Sequence, residues 1–404
     1  MEAKNKGIPV LFQEKKDCCG CGACVNICPV QAITMVEDTC GFLYPQIDES
    51  KCIRCGKCKR ACAFQSASVE NVPLDTYAAV ARDRELVRRS ASGGVFAALA
   101  KKVLAQNGAV FGAAFRPDWS VAHRAVFDEE DLWMLQGSKY TQSDIGDTYA
   151  QVKKLLIEGK TVLFSGTPCQ IHGLYGYLGK KYDYLYTVDV VCHGVPNHRM
   201  LRDYIHGIEQ KHGQKITAFT FRDKSLGWGI NGATEMMKGE RNVKKPVWQS
   251  ASSYLYYFTK GWIYRENCYH CKYACSNRPA DLTLGDYWGI EKAHPEYLGK
   301  NGFKESEGIS LVIANTLKGR ELLDTVQNVL ELRKSSFELA AAGNGQLSHP
   351  SKTGPREELL KTYEQGGWDA MESRFAKNIG WRKYSSQIKA RIPSGMKRLL
   401  KRIR

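Results

Sequence analysis

From residue 74 on, the chain alternates short apolar runs with longer stretches whose apolar residues recur every three to four positions. These are the two periods that separate strands from amphipathic helices. Tyr77 to Ala81 reads as a strand. Gly94 to Gln106 carries Val95, Leu99 and Val103 at helical spacing and stops at Asn107-Gly108. Ala109 to Phe115 reads as the next strand, and Ile145 to Glu158 as a helix ended by Gly159. Thr161 to Phe164 is a short apolar strand running into Gly166-Thr167-Pro168-Cys169. Tyr186 to Val191 repeats the arrangement and delivers Cys192-His193-Gly194, and Ala280 to Leu284 leads to Gly285-Asp286-Tyr287-Trp288-Gly289. Strands alternating with helices predict an α/β core, mixed but largely parallel. In such sheets ligands collect beyond the carboxyl ends of the strands, where three of these segments place Cys-, His- or Asp-bearing turns.

The first 70 residues follow a different pattern, set by cysteine. Cys18, Cys21, Cys24 and Cys28 stand in C-x2-C-x2-C-x3-C spacing ahead of Pro29, and the spacing returns at Cys52, Cys55, Cys58 and Cys62. This is the bacterial-type ferredoxin arrangement for two [4Fe–4S] clusters, in which the last cysteine of each run ligates the other cluster. One cluster is therefore expected on Cys18, Cys21, Cys24 and Cys62, and the second on Cys52, Cys55, Cys58 and Cys28. The halves repeat further: Pro29-Val30-Gln31 follows the first run as Ala63-Phe64-Gln65 follows the second, and Gly41 to Pro45 reads as a hairpin connection. Zinc sites need only two C-x-x-C pairs or a pair with histidines, and no histidine lies among these residues. Cys19 and Cys40 fall outside the spacing and read as packed thiols.

Length and charge narrow the picture. At 404 residues the chain exceeds a ferredoxin and implies two or three domains, and its 43% hydrophobic content supports a large core. The opening MEAKNKGIPVLFQEKKD has no leader-like apolar stretch, so fifteen cysteines are expected to serve metals in a reducing cytoplasm rather than disulfides. The net charge of +16 is concentrated: Lys377 to Arg404 holds ten Lys or Arg and no Asp or Glu. That distribution disfavours nucleic acid, which needs a basic binding face. The tail is read as a solvated terminus, or as a peripheral contact with anionic lipid. Before it, Arg356 to Gln365 and Trp368 to Phe375 read as helices broken at Gly366-Gly367.

A third metal site is expected in the core. Cys268, Cys271 and Cys275 form C-x2-C-x3-C, and Cys169 and Cys192 sit on strand-end turns, which offers five thiols for four ligand positions. Spacing favours a third [4Fe–4S] cluster on Cys268 and Cys271 plus two of the others, with zinc as the alternative metal. Ser92-Gly93-Gly94 precedes a helix, where free amides attract phosphate. Gly137-Ser138-Lys139-Tyr140 adds a cation and hydroxyls suited to a pyrophosphate or a flavin edge. Clusters move one electron and most organic substrates react by two, so a cofactor joining the regimes is expected. His193, next to a candidate ligand, is a candidate proton donor or a turn residue. Asp286 and Trp288 lie at a strand end beside the same site.

With these residues in view, the chain resembles the coenzyme F-420 hydrogenase/dehydrogenase beta-subunit family over about residues 1 to 345, with a ferredoxin module ahead of the family's core. The likeness rests on Ser90-Ala91-Ser92-Gly93-Gly94, Gly137-Ser138-Lys139-Tyr140-Thr141-Gln142-Ser143, Gly166-Thr167-Pro168-Cys169-Gln170, Asp189-Val190-Val191-Cys192-His193-Gly194, Cys268-Tyr269-His270-Cys271 and Ala280 to Gly289. The resemblance implies an FAD beside a [4Fe–4S] cluster, and carries cluster ligation to Cys169, Cys192, Cys268 and Cys271, with Cys275 as the spare. It also places Gly166 and Thr167 with the cofactor-binding residues, and admits coenzyme F-420 as a reactant. The expected organisation is a ferredoxin domain over 1–70, the FAD and cluster core over 74–345, and a helical basic extension over 346–404. The expected function is an iron–sulfur flavoprotein oxidoreductase moving electrons between ferredoxin, another redox protein or a deazaflavin and a small-molecule or lipid-linked substrate. The alternative is a non-catalytic electron-transfer subunit of a hydrogenase or dehydrogenase complex.

Overall fold

A computed structural model describes residues 7–65 and 71–380 of the chain. The segment 66–73, which reads as a linker between the first two expected domains, falls partly outside the described residues, and the basic terminal tail mostly so. The N-terminal module holds a hairpin of β1 (Ile33–Glu37) and β2 (Leu43–Ile47) in antiparallel register. Its turn comes earlier than the expected Gly41–Pro45. The Asp38 carboxylate accepts the amides of Cys40 and Phe42 at 3.1 and 2.9 Å, so Leu43 to Pro45 are free to join the second strand.

The core is built on an eight-stranded sheet and a smaller three-stranded one. In chain order the strands are β3 (Asp75–Ala81), β4 (Ala109–Phe115), β5 (Val121–Val126), β6 (Val162–Gly166) and β7 (Leu185–Val190). There follow β8 (Ile216–Thr220), β9 (Gly232–Lys238), β10 (Arg241–Val247), β11 (Leu282–Asp286), β12 (Ser310–Ala314) and β13 (Leu330–Ser335). The large sheet runs β13-β3-β12-β11-β7-β6-β4-β5, and β8, β9 and β10 form the antiparallel second sheet. The centre of the large sheet, β11-β7-β6-β4, is parallel, while both flanks pair antiparallel. Five strands nevertheless point one way, because the two antiparallel steps from β11 through β12 to β3 restore the direction. The sheet is thus mixed and largely parallel in strand direction.

Alternation along the strands assigns the two faces. Val110, Ala114, Leu163 and Val188 pack with helices Val95–Leu104 and Leu317–Asp324. Ala109, Phe111, Val162, Phe164 and Leu185 face helices Thr148–Ile157 and Pro168–Leu178. A third apolar cluster joins helices His198–His212 and Ser253–Lys260 to Phe42 and Tyr44 of the N-terminal module. The segment Arg356–Ile379 buries Leu359, Tyr363, Trp368, Met371 and Phe375 in that cluster. Its helical geometry fails at Gly366 and Gly367. Among the described residues, no helix is long and apolar enough to cross a membrane.

Candidate functional site

The two cysteine runs form two interlocked thiol groups. Cys52, Cys55 and Cys58 line one small cavity together with Cys28 from the other run. The Cys58 thiol is pushed up by burial and by the neighbouring Cys55 and Cys28 sulfurs. Cys24 is pushed up by burial and by Cys18 and Cys62. Each run therefore leans on the far end of the other. The module sits on helix Pro168–Leu178, where Gly173 and Gly176 permit the approach: a side chain there would strike Cys21 and the Ala61 carbonyl.

The core thiols converge at the carboxyl edge of the large sheet. Cys169 opens helix Pro168–Leu178 just after β6, Cys192 follows β7, and Cys268 and Cys271 come from the turn around Glu266–His270. Together they line a narrow cavity. Burial and mutual repulsion of the sulfurs raise the Cys192 thiol to about 12 and Cys271 to about 11. Buried thiols in this position ionise only against cationic metal. Cys275 does not line the cavity, and its sulfur contacts the Lys272 and Asn277 carbonyls at 3.4 Å each. Cys19 does line it, with its thiol hydrogen-bonded to Cys169. The Thr167 hydroxyl lies 3.1 Å from the Cys169 sulfur. Among the described residues, no three His, Cys, Asp or Glu side chains close on one point as a single ion requires; the thiols of Cys28, Cys52, Cys55 and Cys58 and those of the core instead line cavity walls.

Two buried arginines hold this region. Arg278 pairs with Asp189 at 3.0 Å, their side chains 1% and 0% exposed, and donates to the Tyr273 and Val190 carbonyls at 2.7 Å each. Arg265, fully buried, reaches across to the N-terminal module. It donates to the Cys18 and Leu43 carbonyls at 2.8 Å each and lies 3.5 Å from the Cys18 sulfur. Its guanidinium stacks over the Tyr44 ring at 4.1 Å. Nothing in the spacing of an isolated arginine marks it; its neighbour Cys268 is the one sequence cue.

A larger cleft shares the Cys192, His193 and Thr167 wall with the thiol cavity. It brings together Ser92, Gly94, Gly137, Ser138, Lys139, Tyr140, Gly166, Thr167, His193 and Asp286. Gly93 lies behind the wall, its amide on the Ser310 hydroxyl at 2.9 Å and no room for a side chain against Ala79. The Ser92 hydroxyl is buried and has no partner. Gly137 has φ +77 and open space where a side chain would stand. Both features suit a bound polar group pressed against the backbone. Lys139 is employed otherwise: its ammonium donates to the Met134 and Gln136 carbonyls at 2.8 Å each, and burial lowers it to about 7. Burial also holds the His193 imidazole below its usual range, with Asp286 pulling the other way.

Asp286 is tied down. Arg222 donates to its two oxygens at 2.6 and 3.1 Å, and the Trp228 indole donates at 2.8 Å. Trp228 stacks on Trp288, centroids 4.6 Å apart, and Arg222 also reaches the Tyr140 hydroxyl at 3.2 Å. This knot fixes one end of the cleft. Arg222 and Trp228 follow β8 in the second sheet, too far along the chain for any motif to link them to Asp286.

Residues 17–66 match the 4Fe-4S dicluster domain, and residues 159–338 match the family described as the C terminus of the coenzyme F420 hydrogenase/dehydrogenase beta subunit. The segment 159–338 is thus similar to the C-terminal part of that beta-subunit family. The dicluster match makes the chain an iron–sulfur, electron-transferring protein. An uncharacterized ferredoxin of Methanocaldococcus jannaschii is 37% identical over 71 residues, 18% of this chain and 37% of that relative's length. A chain of the F420-reducing [NiFe] hydrogenase complex from Methanosarcina barkeri aligns over 74% of this chain and 94% of its own. Its identity is 16% and its TM-score 0.42. Within the beta-subunit match lie β6, β7 and β11, the three strands whose ends carry Cys169, Cys192, His193 and Asp286, and the turn that carries Cys268 and Cys271.

Proposed function

We propose that the chain is an iron–sulfur flavoprotein oxidoreductase, moving electrons between a ferredoxin or a deazaflavin such as coenzyme F420 and a small-molecule or lipid-linked substrate, in a reducing, cytoplasmic setting. The observation that carries this reading is the shared wall: the thiol cavity and the large cleft meet at Cys192, His193 and Thr167. Bound there, a cluster supplies single electrons and FAD joins one- to two-electron chemistry. Cys169, Cys192, Cys268 and Cys271 would hold the core cluster, and the eight spaced cysteines the two N-terminal ones. Gly94 and Val95, at the start of helix Val95–Leu104, line the cleft and offer amides to a phosphate. The Ser92 hydroxyl gains the partner it lacks. Asp286 orients Arg222 and Trp228 at the far end. His193, facing both cavities, is the group placed to hold a proton, and its lowered pKa keeps it neutral at pH 7.

Anaerobic purification with iron, sulfide and flavin quantification tests the reading. About twelve irons and one FAD per chain are expected for three four-iron clusters. Full iron without flavin would rule it out. The beta-subunit match favours a second reading, a non-catalytic electron-transfer subunit that passes electrons to a separate hydrogenase or dehydrogenase. Gel filtration with turnover assays of the isolated chain separates the two, because turnover by a homo-oligomer excludes the second.

A further inference from the structure

The two cysteine runs are repeats, and the positions between the ligands differ in a directed way. Aligned ligand by ligand, Cys19, Gly20, Ala23, Val25 and Asn26 of the first run stand where Ile53, Arg54, Lys57, Lys59 and Arg60 stand in the second. Four uncharged positions have become four cations.

The first loop faces inward. Cys19 and Ala23 are buried, and Gly20, at φ +66, is pressed against Gln142 and Arg265. The second loop faces solvent. Ile53 is 59% exposed, and Arg54, Lys57, Lys59 and Arg60 are all exposed. Arg54 holds φ +55, the left-handed turn that the first run fills with glycine. A non-glycine residue held there carries a strain of about 1–2 kcal/mol. Around this loop, Pro9, Val30 and Ile53 wall the cavity of Cys28, Cys52, Cys55 and Cys58, and Val10 beside them is 60% exposed. The nearby Asp48 is occupied by Lys51 at 3.0 Å. An apolar centre ringed by cations thus lies over the thiol group farther from the core.

We propose that this face is the docking surface for a small acidic electron-carrier protein of the ferredoxin or flavodoxin class. The carrier gives up one electron and the metal centre on Cys28, Cys52, Cys55 and Cys58 accepts it, with no bond made or broken and no proton moved. The inference rests on the iron–sulfur reading above and gives that reading an entry point. A small apolar contact suits transient redox pairs, which bury little surface. The cationic ring steers an acidic partner, an effect of about 10- to 1000-fold on association rate that salt removes.

The test is anaerobic stopped-flow mixing of the full chain with a reduced, acidic, two-cluster bacterial-type ferredoxin, comparing the wild type with Lys57→Glu/Lys59→Glu. Iron content and the reduced-state EPR spectrum check that the clusters are intact. At low ionic strength the double variant is expected to react at least about tenfold more slowly, and the wild-type rate alone to fall steeply with salt. Lys57→Gln/Lys59→Gln is expected to be intermediate, and replaces the reversal variant if that one loses iron. Equal rates and equal salt dependence at equal iron content overturn the proposal. So does loss of binding to phosphatidylglycerol vesicles in the variant with unchanged ferredoxin kinetics, which would assign the face to lipid. If dithionite reduces no cluster in the iron-loaded wild type, it is the iron–sulfur reading that fails.

Discussion

Replacing Arg278 by Met would leave the Asp189 carboxylate inside the protein without its cation. The pair is almost wholly out of water, and both carbonyl bonds of the guanidinium, at 2.7 Å, would go with it. Removing one partner of a buried pair costs about 3–5 kcal/mol, mostly because the charge left behind is unpaired. Against a total stability of about 5–15 kcal/mol, this variant would be severely weakened. Adding Asp189→Asn removes the stranded charge, so the double variant should recover about 1–3 kcal/mol relative to Arg278→Met alone. The titration has a defined sign. Burial already raises the Asp189 carboxyl with Arg278 in place, and losing the cation raises it further. The folded variant then binds a proton that the unfolded chain has released, so its stability falls as pH rises above about 4. Relative to the wild type, Arg278→Met should therefore regain stability between about pH 7 and 5. Anaerobic urea unfolding of the iron-loaded proteins, followed by far-ultraviolet circular dichroism, measures all three quantities. A single variant within about 1 kcal/mol of the wild type, or a double variant weaker than the single, would refute the reasoning.

Cys169→Ser should lower iron from about twelve to about eight per chain while Cys275→Ser leaves it unchanged, read by iron analysis. Arg265→Met removes a buried cation 3.5 Å from the Cys18 sulfur, so one N-terminal cluster should become harder to reduce, by about 59 mV for each tenfold change; Arg265→Lys should retain part of the potential in an EPR-monitored titration. Ser92→Ala deletes an unpartnered buried hydroxyl, which should stabilise the flavin-free protein by about 1 kcal/mol and weaken flavin retention several-fold. Thermal unfolding and flavin release by dialysis give the two signs. Burial lowers His123 to about 4, with its nitrogens on the Ser143 hydroxyl and the Ser165 carbonyl. Below about pH 6.5 the unfolded chain takes up a proton that the folded one refuses, so stability should drop by about 2 kcal/mol between pH 6.5 and 5. His123→Gln should flatten that slope in pH-dependent unfolding.

The amino-acid sequence by itself determined what depends on near neighbours. Ligand spacing specified two cysteine runs in which the last cysteine of each meets the other run, because short C-x-x-C steps fix where successive thiols can point. Helical and strand periods located β3, β4, β6 and β7 to within a residue or two, and the glycine break at Gly366-Gly367. The expected strand over Ala280–Leu284 likewise falls within two residues of β11; β5, β8, β9, β10, β12 and β13 carried weaker signals, because pairing with a neighbour, not local pattern, makes them strands. Only the tertiary structure decided which residues far apart in the chain meet. It set Cys19 rather than Cys275 on the core thiol cavity, tied Asp286 to Arg222 and Trp228, and drove Arg265 into the N-terminal module. These contacts depend on how the sheet and helices close around one another. Burial at that stage also turns ordinary side chains into unpartnered hydroxyls, displaced titrations and paired charges, which no spacing along the chain encodes.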